Sequence, residues 1–228
     1  MQFIKDIANL FFPKICLSCD MVLTTEEKVI CSFCIFELPK ANYSDLKDNP
    51  VEKIFFGRIK IESATALLLY AKKGNVQKLI HNLKYSGHQE IGVFIGNLLG
   101  NEIIASNRFR NIDGIIPVPL HKNKLKSRGY NQVTKFGEQL SKKLKAPYVK
   151  DILIRKTAAK TQSKKIRFDR WKNVTEMFFV QDLSTFKNKH VLLIDDIITT
   201  GATLEACCNE LLKIKGIKIS IAVMAFTK

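Results

Sequence analysis

The stretch HVLLIDDIITTGAT, residues 190–203, decides the fold class. Its apolar run Val191–Ile194 predicts a short buried strand that ends at two adjacent carboxylates, Asp195 and Asp196. A turn rich in Thr and Gly follows and leads into a stretch with helical spacing. In an open parallel α/β sheet, ligands collect at the carboxyl ends of the strands, where such turns lie. The segment therefore predicts both a parallel sheet and the position of its binding site.

The turn after the two carboxylates offers the groups that a phosphate needs. Backbone N–H groups at a helix N-terminus attract anions, and a glycine lets them approach without a side chain in the way. The carboxylates can accept hydrogen bonds from ribose hydroxyls or hold a hydrated Mg²⁺. The alternative is an ordinary capped helix with an acidic turn, but the order of two acids, two threonines, Gly and Thr disfavours it. The predicted phosphate ligands are Thr199, Thr200, Gly201, Ala202 and Thr203.

Strand and helix patterns alternate on both sides of this segment. Apolar runs and helical spacing predict strands at 64–71, 114–118 and 217–226, and helices at 75–85, 90–104, 130–144 and 203–214. Such alternation is typical of a parallel sheet with helices on both faces. The predicted fold class is therefore α/β, a parallel-sheet, Rossmann-like domain.

Four of the six cysteines form two Cys-x-x-Cys pairs, Cys16 with Cys19 and Cys31 with Cys34. Two such pairs can complete a tetrahedral shell of four thiolates, which leaves no open position for catalysis. A structural zinc site is the favoured interpretation, and a mononuclear iron site with the same ligands stays open. Disulfides are disfavoured because nothing in the sequence indicates export. The other two cysteines lie in an apolar stretch, which predicts buried thiols without a functional role.

The cysteine pattern predicts a separate amino-terminal module. Residues 1–40 are expected to contain an amphipathic helix over Phe3–Phe12 and then the metal site. Residues 41–57 are polar and contain Asn49-Pro50, which predicts a linker. Residues 58–228 are expected to form the α/β domain. The complete prediction is a parallel-sheet domain with a small amino-terminal zinc-binding module.

The chain of 228 residues has 37 Lys and Arg against 21 Asp and Glu, a formal net charge of +16. Residues 118–172 hold 17 of these basic residues and three acids, so this part accounts for +14 of the total. A merely lysine-rich surface would spread the excess more evenly, and the concentration predicts an anionic partner longer than one small ligand. With no membrane helix or secretory signal evident, we expect a cytoplasmic protein with at most peripheral contact to the inner membrane.

The segment Val191–Thr203 resembles the phosphoribosyl-pyrophosphate (PRPP) motif of type I phosphoribosyltransferases. The runs Ile116–His121 (IPVPLH) and Arg128–Gln132 (RGYNQ) are similar to the ComF/GntX branch of that fold family. The four-cysteine module resembles the same branch. So does a later run, which contains Arg155, Gln162, Arg167 and Asn173.

The resemblance implies that PRPP binds together with Mg²⁺ beside the two carboxylates. The turn after Pro119 would form the pyrophosphate-side loop, with Arg128 as its anion ligand. Lys84, next to Tyr85, lies where the branch often has a basic and aromatic pair, and it is assigned to the same side. Fixed cations of this kind suit pyrophosphate, because a guanidinium offers a planar fork and an ammonium a point charge.

The resemblance also implies a flap over residues 156–172 that closes on the ligand, with Arg155, Gln162 and Arg167 as its predicted contact residues. Thr199 stands where 6-oxopurine phosphoribosyltransferases have an Asp. This difference argues against a hypoxanthine- or guanine-type enzyme.

Three functions follow from the resemblance. ComF-type proteins are associated with natural transformation, so the first is DNA uptake: binding of single-stranded DNA together with a ribose-5-phosphate-type ligand such as PRPP. The second is an active phosphoribosyltransferase, a pentosyl-transfer enzyme with an unknown acceptor, in which Asp195 and Asp196 would be catalytic. The third is an adaptor that docks to a DNA helicase or membrane channel. The sequence leaves open whether the protein is an enzyme.

Overall fold

The computed structural model describes residues 13–156 and 178–227, and the elements below are those of the described residues. The strands are β1 (Ser63–Tyr70), β2 (Gly114–Pro117), β3 (Leu153–Arg155), β4 (Phe178–Val180), β5 (His190–Ile198) and β6 (Lys218–Thr227). The helices are α1 (Ser32–Phe36), α2 (Pro50–Lys53), α3 (Asn75–Tyr85), α4 (Glu90–Ala105), α5 (Lys122–Arg128), α6 (Thr134–Leu144) and α7 (Ala202–Leu211). None of these helices is long and apolar enough to cross a membrane.

Four strands form a parallel sheet in the order β1-β6-β5-β2, and β3 and β4 form a separate antiparallel ribbon. The central strands are apolar along nearly their whole length because both faces of the sheet are covered. On β5, Leu192 and Ile194 belong to one core cluster, and Val191 and Leu193 belong to the other. The predicted α/β class with a parallel sheet is confirmed.

Both edges of the sheet are closed by short extended segments. On the β1 side, the Leu69 amide donates to the Pro39 carbonyl and the Ala41 amide donates to the Leu67 carbonyl, each at 2.8 Å. On the β2 side, the backbone around Tyr148 pairs with Ile115. These segments satisfy backbone groups that an open edge would expose.

Residues 41–57, predicted to be a linker, pack against the sheet. Asn49 is fully buried, and its side-chain amide donates to the carbonyls of Tyr43, Leu46 and Ala64 at 2.8–3.2 Å. Its Oδ1 also accepts from the first amides of α2, as an N-cap residue does. Phe55 is fully buried in the same core cluster as β5. The segment is therefore part of the core, and it lies directly behind the turn that follows β5.

The four-cysteine module packs on α3. Leu17 and Ile30 share a core cluster with Leu79 of that helix. The Asn82 side-chain amide donates to the Leu17 carbonyl at 3.0 Å. The module thus packs against α3 of the α/β domain. The division into residues 1–40, 41–57 and 58–228 stays a prediction.

Two sequence-based element bounds are wrong at the site. The predicted strand stops at Ile194, but β5 continues to Ile198 because its pairing with β6 continues through both carboxylates. The turn after Pro119 was expected to be a loop, yet it contains α5. This helix buries no side chain, so it has no apolar stripe that could predict it; its ends are marked only by the His121 cap and by Gly129 in the left-handed region.

Candidate functional site

The turn between β5 and α7 forms an open cavity with a volume of about 50 Å³, called the β5–α7 cavity below. Its lining residues are Asp195, Ile197, Ile198, Thr199, Thr200, Gly201, Ala202, Thr203 and Leu204. The structure thus brings one predicted carboxylate together with all five predicted phosphate ligands. The first N–H groups of α7 have no acceptor within the helix, and the Ala202 amide donates to Thr200 Oγ1 at 3.5 Å. Anion binding at this end of α7 stays a prediction.

Gly201 shapes the floor of the β5–α7 cavity. It precedes α7 with φ = 74°, in the left-handed region that favours glycine. A Cβ at this position would lie 2.6 Å from Ile54 Cγ2 and 3.1 Å from Phe55 Cε1. The turn can therefore lie flat against residues 54–55 only with a glycine here. The sequence predicts that Gly201 lets the ligand approach the backbone. The structure shows that Gly201 also lets the turn pack on the core.

Arg58 holds the turn from outside, and the sequence did not predict it. Its guanidinium donates to the Thr200 carbonyl at 3.0 Å and to the Ile54 carbonyl at 3.2 Å, and it forms an ion pair with Glu205 of α7. The Arg58 side chain thus connects the segment 41–57, the loop between β5 and α7, and the first helical turn of α7. A single arginine far away in sequence carries no motif, so nothing in the chain's pattern could have identified it.

The two carboxylates point to opposite sides of β5, as successive strand residues do. Asp196 forms an ion pair with Lys84 of α3, with Nζ and Oδ2 2.9 Å apart and both side chains largely buried. Asp195 lines the β5–α7 cavity and accepts a hydrogen bond from the Asp196 amide at 2.8 Å. Desolvation, and next the charge of Asp196, raise the pKa of Asp195 to about 8, against the opposing charges of Lys84 and Arg155. In the absence of a bound cation, Asp195 is therefore mostly protonated at neutral pH.

The four predicted metal ligands lie together. The Sγ atoms of Cys16, Cys19, Cys31 and Cys34 all lie within 4.8 Å of one another, and those of Cys19 and Cys31 are 3.7 Å apart. A tetrahedral Zn²⁺ with Zn–S bonds of about 2.3 Å requires S···S distances of roughly 3.8 Å. The cluster therefore fits a four-thiolate ion.

Backbone amides support the thiolate form within this cluster. The Cys31 amide donates to Cys16 Sγ at 3.3 Å, and the Cys34 amide donates to Cys31 Sγ at 3.5 Å. Although burial opposes it, hydrogen bonds from backbone amides lower the pKa of Cys16 to about 7. The other thiols do not follow Cys16: burial raises the pKa of Cys34 to about 12, as it raises the pKa of Cys207 outside the cluster. The module thus has the donor set of a structural metal site, and its metal stays a prediction.

Comparison with known proteins agrees with these features. Residues 134–228 match the family model described as the phosphoribosyl transferase domain. DNA utilization protein YhgH of Escherichia coli O157:H7 is 30% identical over 138 residues, 59% of this chain and 60% of that protein. Competence protein F of Haemophilus influenzae is 32% identical over 140 residues, 60% of this chain and 59% of that protein. Competence protein ComFC of Bacillus subtilis is 27% identical over 216 residues, 92% of this chain and 82% of that protein.

The resemblance to ComF-type proteins is confirmed. The chain is a relative of proteins named for competence and DNA utilization, and its carboxyl-terminal part matches a phosphoribosyl transferase domain. Its match spans about 60% of the length of the first two relatives.

Comparison with solved structures gives partial alignments. Adenine phosphoribosyltransferase from Leishmania tarentolae aligns with a TM-score of 0.37 and 15% identity, over 62% of this chain and 73% of that chain. Glutamine PRPP amidotransferase from B. subtilis aligns with a TM-score of 0.41 and 13% identity, over 62% of this chain and 30% of that chain.

The residues assigned to the pyrophosphate side lie in two places. Lys84 is held against Asp196, on the other side of β5 from Asp195, and does not line the β5–α7 cavity. Arg128 does not line that cavity: its guanidinium donates to Gln132 Oε1 at 2.8 Å and to the Tyr85 hydroxyl at 3.3 Å. The pyrophosphate role of Arg128 therefore stays a prediction.

Of the predicted flap, the described residues include only Lys156 and, just before it, Arg155. Arg155 ends β3, with its guanidinium 5.4 Å from the centre of the Phe178 ring on β4, and its charge acts on Asp195. Gln162 and Arg167 lie outside the described residues. The flap assignment stays a prediction that rests on the resemblance.

Proposed function

We propose that this ComF-type protein acts in DNA uptake on the cytoplasmic side of the membrane. In this role it binds single-stranded DNA and holds a ribose-5-phosphate-type ligand, PRPP with Mg²⁺. The single observation that carries the ligand proposal is the β5–α7 cavity, which joins helix amides, three threonine hydroxyls and the Asp195 carboxyl group. This set combines donors for a phosphate with an acceptor for a sugar hydroxyl.

Each part of the ligand has a partner in the proposal. The 5′-phosphate accepts hydrogen bonds from the first amides of α7 and from Thr199, Thr200 and Thr203. Ribose hydroxyls donate to Asp195. Mg²⁺ takes oxygen ligands and keeps several waters, so the Asp195 carboxylate and the ligand's own phosphates suit it. The ion would neutralise the pyrophosphate.

The DNA part of the proposal is supported by relatives and charge. Relatives carry the names DNA utilization protein and competence protein. The basic excess of residues 118–172 includes the exposed Lys122, Lys124 and Lys126 of α5. That helix follows the carboxyl end of β2, and β2 runs parallel to β5. These charges therefore lie, like the cavity, at the carboxyl ends of the strands. Phosphate contacts supply most of the sequence-independent affinity for nucleic acid.

A titration tests the ligand proposal. We expect PRPP to bind in the presence of Mg²⁺ with a single saturable site, measured by calorimetry. Asp195→Asn should weaken this binding at least about tenfold, since a charge-assisted hydrogen bond and a metal ligand are lost together. The matched control is Asp151→Asn, an exposed acid outside the cavity, which should bind like the wild type. Saturable binding that Asp195→Asn leaves intact would refute the assignment.

Phosphoribosyl transfer is the second candidate, favoured by the position of Asp195 in the cavity with Lys84 and Asp196 next to it. In such a reaction the bond from the anomeric carbon to pyrophosphate breaks, an acceptor nucleophile forms the new bond there, and the acceptor loses a proton. Fixed cations stabilise the charge that develops on the leaving group. The test is pyrophosphate release from PRPP with nucleobases, amines or DNA ends as acceptors. Release that Asp196→Asn abolishes supports transfer, and absence of release with every acceptor rejects it.

A further inference from the structure

The outward side of α3 combines an exposed aromatic ring with exposed cations, outside the β5–α7 cavity. Lys78, His81 and Tyr85 follow one another at spacings of three and four, so they lie on one side of the helix. Lys73 precedes this row in the turn before α3. We call Lys73, Lys78, His81 and Tyr85 the α3 face.

Tyr85 is the centre of the α3 face. Its side chain is 65% exposed, which is high for a large ring. The Arg128 guanidinium lies 4.9 Å from the ring centroid and also donates to the hydroxyl, while the His81 ring lies 4.9 Å away on the same helix. These two neighbours restrict the orientation of the Tyr85 ring, while most of its surface stays open to water. A fixed, exposed ring is what an unpaired base needs for stacking.

The charge around this ring is positive. Residues 72–85 contain four lysines and no acid. Lys73 and Lys78 border an open depression of about 420 Å³ between the four-cysteine module and α3, which His81 also lines. Lys78 is paired with the exposed Asp20, but an ion pair in water contributes little, so a phosphate can replace that carboxylate at small cost.

The α3 face runs from the four-cysteine module toward the carboxyl end of β5. Its far end is next to Lys84, which is paired with Asp196. Eleven residues of helix span about 16 Å, which one strand of duplex DNA covers with about five nucleotides at 3.4 Å each and a more extended single strand covers with fewer. The row is therefore long enough for several phosphates and at least one stacked base.

We propose that the α3 face is the surface on which the protein binds single-stranded nucleic acid, with Lys73 and Lys78 at the phosphates and Tyr85 stacked on a base. The inference rests on the proposed function, because it gives that function's DNA strand a location. The ring distinguishes the strand from other polyanions, since only an unpaired base offers a face for stacking. Base-paired DNA keeps its bases inside the duplex and gains only the phosphate contacts.

The experiment measures binding of a short fluorescent oligothymidine by anisotropy over a range of salt. The double variant K73Q/K78Q should lower the slope of log affinity against log salt by about 1.4, because each single-strand phosphate contact contributes about 0.7. The matched control is K187Q/K215Q, which removes the same charge from two exposed positions. They lie just before the amino-terminal ends of β5 and β6, at the opposite end of the parallel strands from the cavity. Both double variants should keep the thermal midpoint and zinc content of the wild type.

Stacking is tested separately. Tyr85→Leu should bind the oligothymidine about 5- to 100-fold more weakly, and Tyr85→Phe should bind like the wild type because it keeps the ring. Binding of a duplex of the same length should be equal for all three proteins. Equal losses for Phe and Leu would mean that only the hydroxyl contact to Arg128 matters and would overturn the stacking role.

Two failures of this experiment are distinguishable. If the wild-type protein binds no oligothymidine even at low salt, the DNA part of the proposed function fails. If the wild type binds with a steep salt dependence, but K73Q/K78Q is affected no more than K187Q/K215Q, the DNA function stands and the α3 face is overturned as its location. A lower slope in K73Q/K78Q alone, with a loss in Tyr85→Leu, supports the inference.

Discussion

The β5–α7 cavity and the α3 face both offer groups for phosphates, but they are built differently. The cavity uses backbone amides and short side chains. Its turn is held by the packing of Gly201 on residues 54–55 and by the hydrogen bond from Arg58 to the Thr200 carbonyl. The α3 face uses long cationic side chains and one exposed ring. The first arrangement defines the position of a small ligand closely. The second tolerates a strand that slides, because phosphate and stacking contacts recur along a polymer.

The two regions also depend on different parts of the molecule. The cavity is supported by residues 41–58 and by the core cluster around β5, whereas the α3 face is supported by the four-cysteine module through Leu17 and Asn82. One chain can therefore recognise two anions of different size through two separately supported surfaces. The following changes test this separation, beginning with the largest expected effect.

Metal removal should separate the two surfaces most strongly. Folding of small four-ligand zinc modules gains roughly 10–16 kcal/mol from the metal in isolated peptides, so chelation or Cys19→Ser should unfold residues 13–40. We expect oligothymidine binding to fall because the module no longer supports the start of α3. PRPP binding should remain, since the cavity does not contact the module. Restoring zinc to the chelated protein is the control, and equal loss of both ligands would contradict the separation.

Gly201→Ala should damage the cavity and the fold together. The left-handed backbone costs about 1–2 kcal/mol for a residue with a Cβ, and the contact with Ile54 adds about 1–3 kcal/mol. Gly57→Ala is the matched control, because Gly57 also has positive φ (69°) but no atom within 4 Å of the place that a Cβ would take. Chemical denaturation should show a loss of about 1–2 kcal/mol for Gly57→Ala and a larger loss for Gly201→Ala. Equal losses would mean that the turn does not pack on residues 54–55.

Asp195 should make stability depend on pH. Its pKa is raised to about 8 in the folded protein, from an ordinary value of 3.8, so the folded state binds an extra proton between these values. Stability contributed by this group therefore falls as pH rises from about 4 to about 8 and then levels off. Asp195→Asn should flatten this part of the profile of unfolding free energy, and Asp151→Asn should not. An unchanged slope in Asp195→Asn would show that Asp195 is already ionised at low pH.

Proton release should accompany ligand binding for the same reason. If Mg²⁺ with PRPP binds the ionised Asp195, affinity should rise with pH up to about 8 in the wild type. Calorimetry in buffers of different ionisation enthalpy measures the proton released. A pH-independent affinity would place the cation away from Asp195.

Arg58→Ala should give the smallest change. The pair with Glu205 is partly exposed, so the cost in stability is about 0.5–1 kcal/mol. PRPP affinity should fall about two- to fivefold, because the turn loses its bond to the Thr200 carbonyl while every ligand contact remains. Arg110→Ala, an exposed arginine elsewhere, should change neither quantity. Full affinity in Arg58→Ala would show that the turn is held by Gly201 packing alone.

The sequence was most informative where one short segment carries its own chemistry. The β5–α7 turn and the four cysteines could be predicted because their residues are neighbours in the chain and their spacing is set by local geometry. The helix over 75–85 was also predicted correctly, since its apolar side faces the core. Local pattern is enough when local contacts decide the structure.

The remaining features depend on contacts between distant residues. β5 includes two aspartates, poor strand formers, because pairing with β6 overrides their preference. Arg58 reaches Thr200 across 142 positions, and Arg128 reaches Tyr85 across 43. Neither contact produces a periodic pattern in the sequence. The net charge of +14 in residues 118–172 also does not identify the α3 face, because that face lies outside these residues. The two regions meet where Arg128 contacts the Tyr85 ring.

The most direct test of the two-surface account is one crossed binding measurement. The affinities of wild type, Asp195→Asn and K73Q/K78Q are determined for PRPP with Mg²⁺ and for oligothymidine under the same conditions. The account predicts that Asp195→Asn loses PRPP and keeps the oligothymidine, whereas K73Q/K78Q keeps PRPP and loses affinity for the oligothymidine. If each variant loses both ligands in equal measure, or neither variant loses either, the two surfaces do not act as separate sites for the two anions.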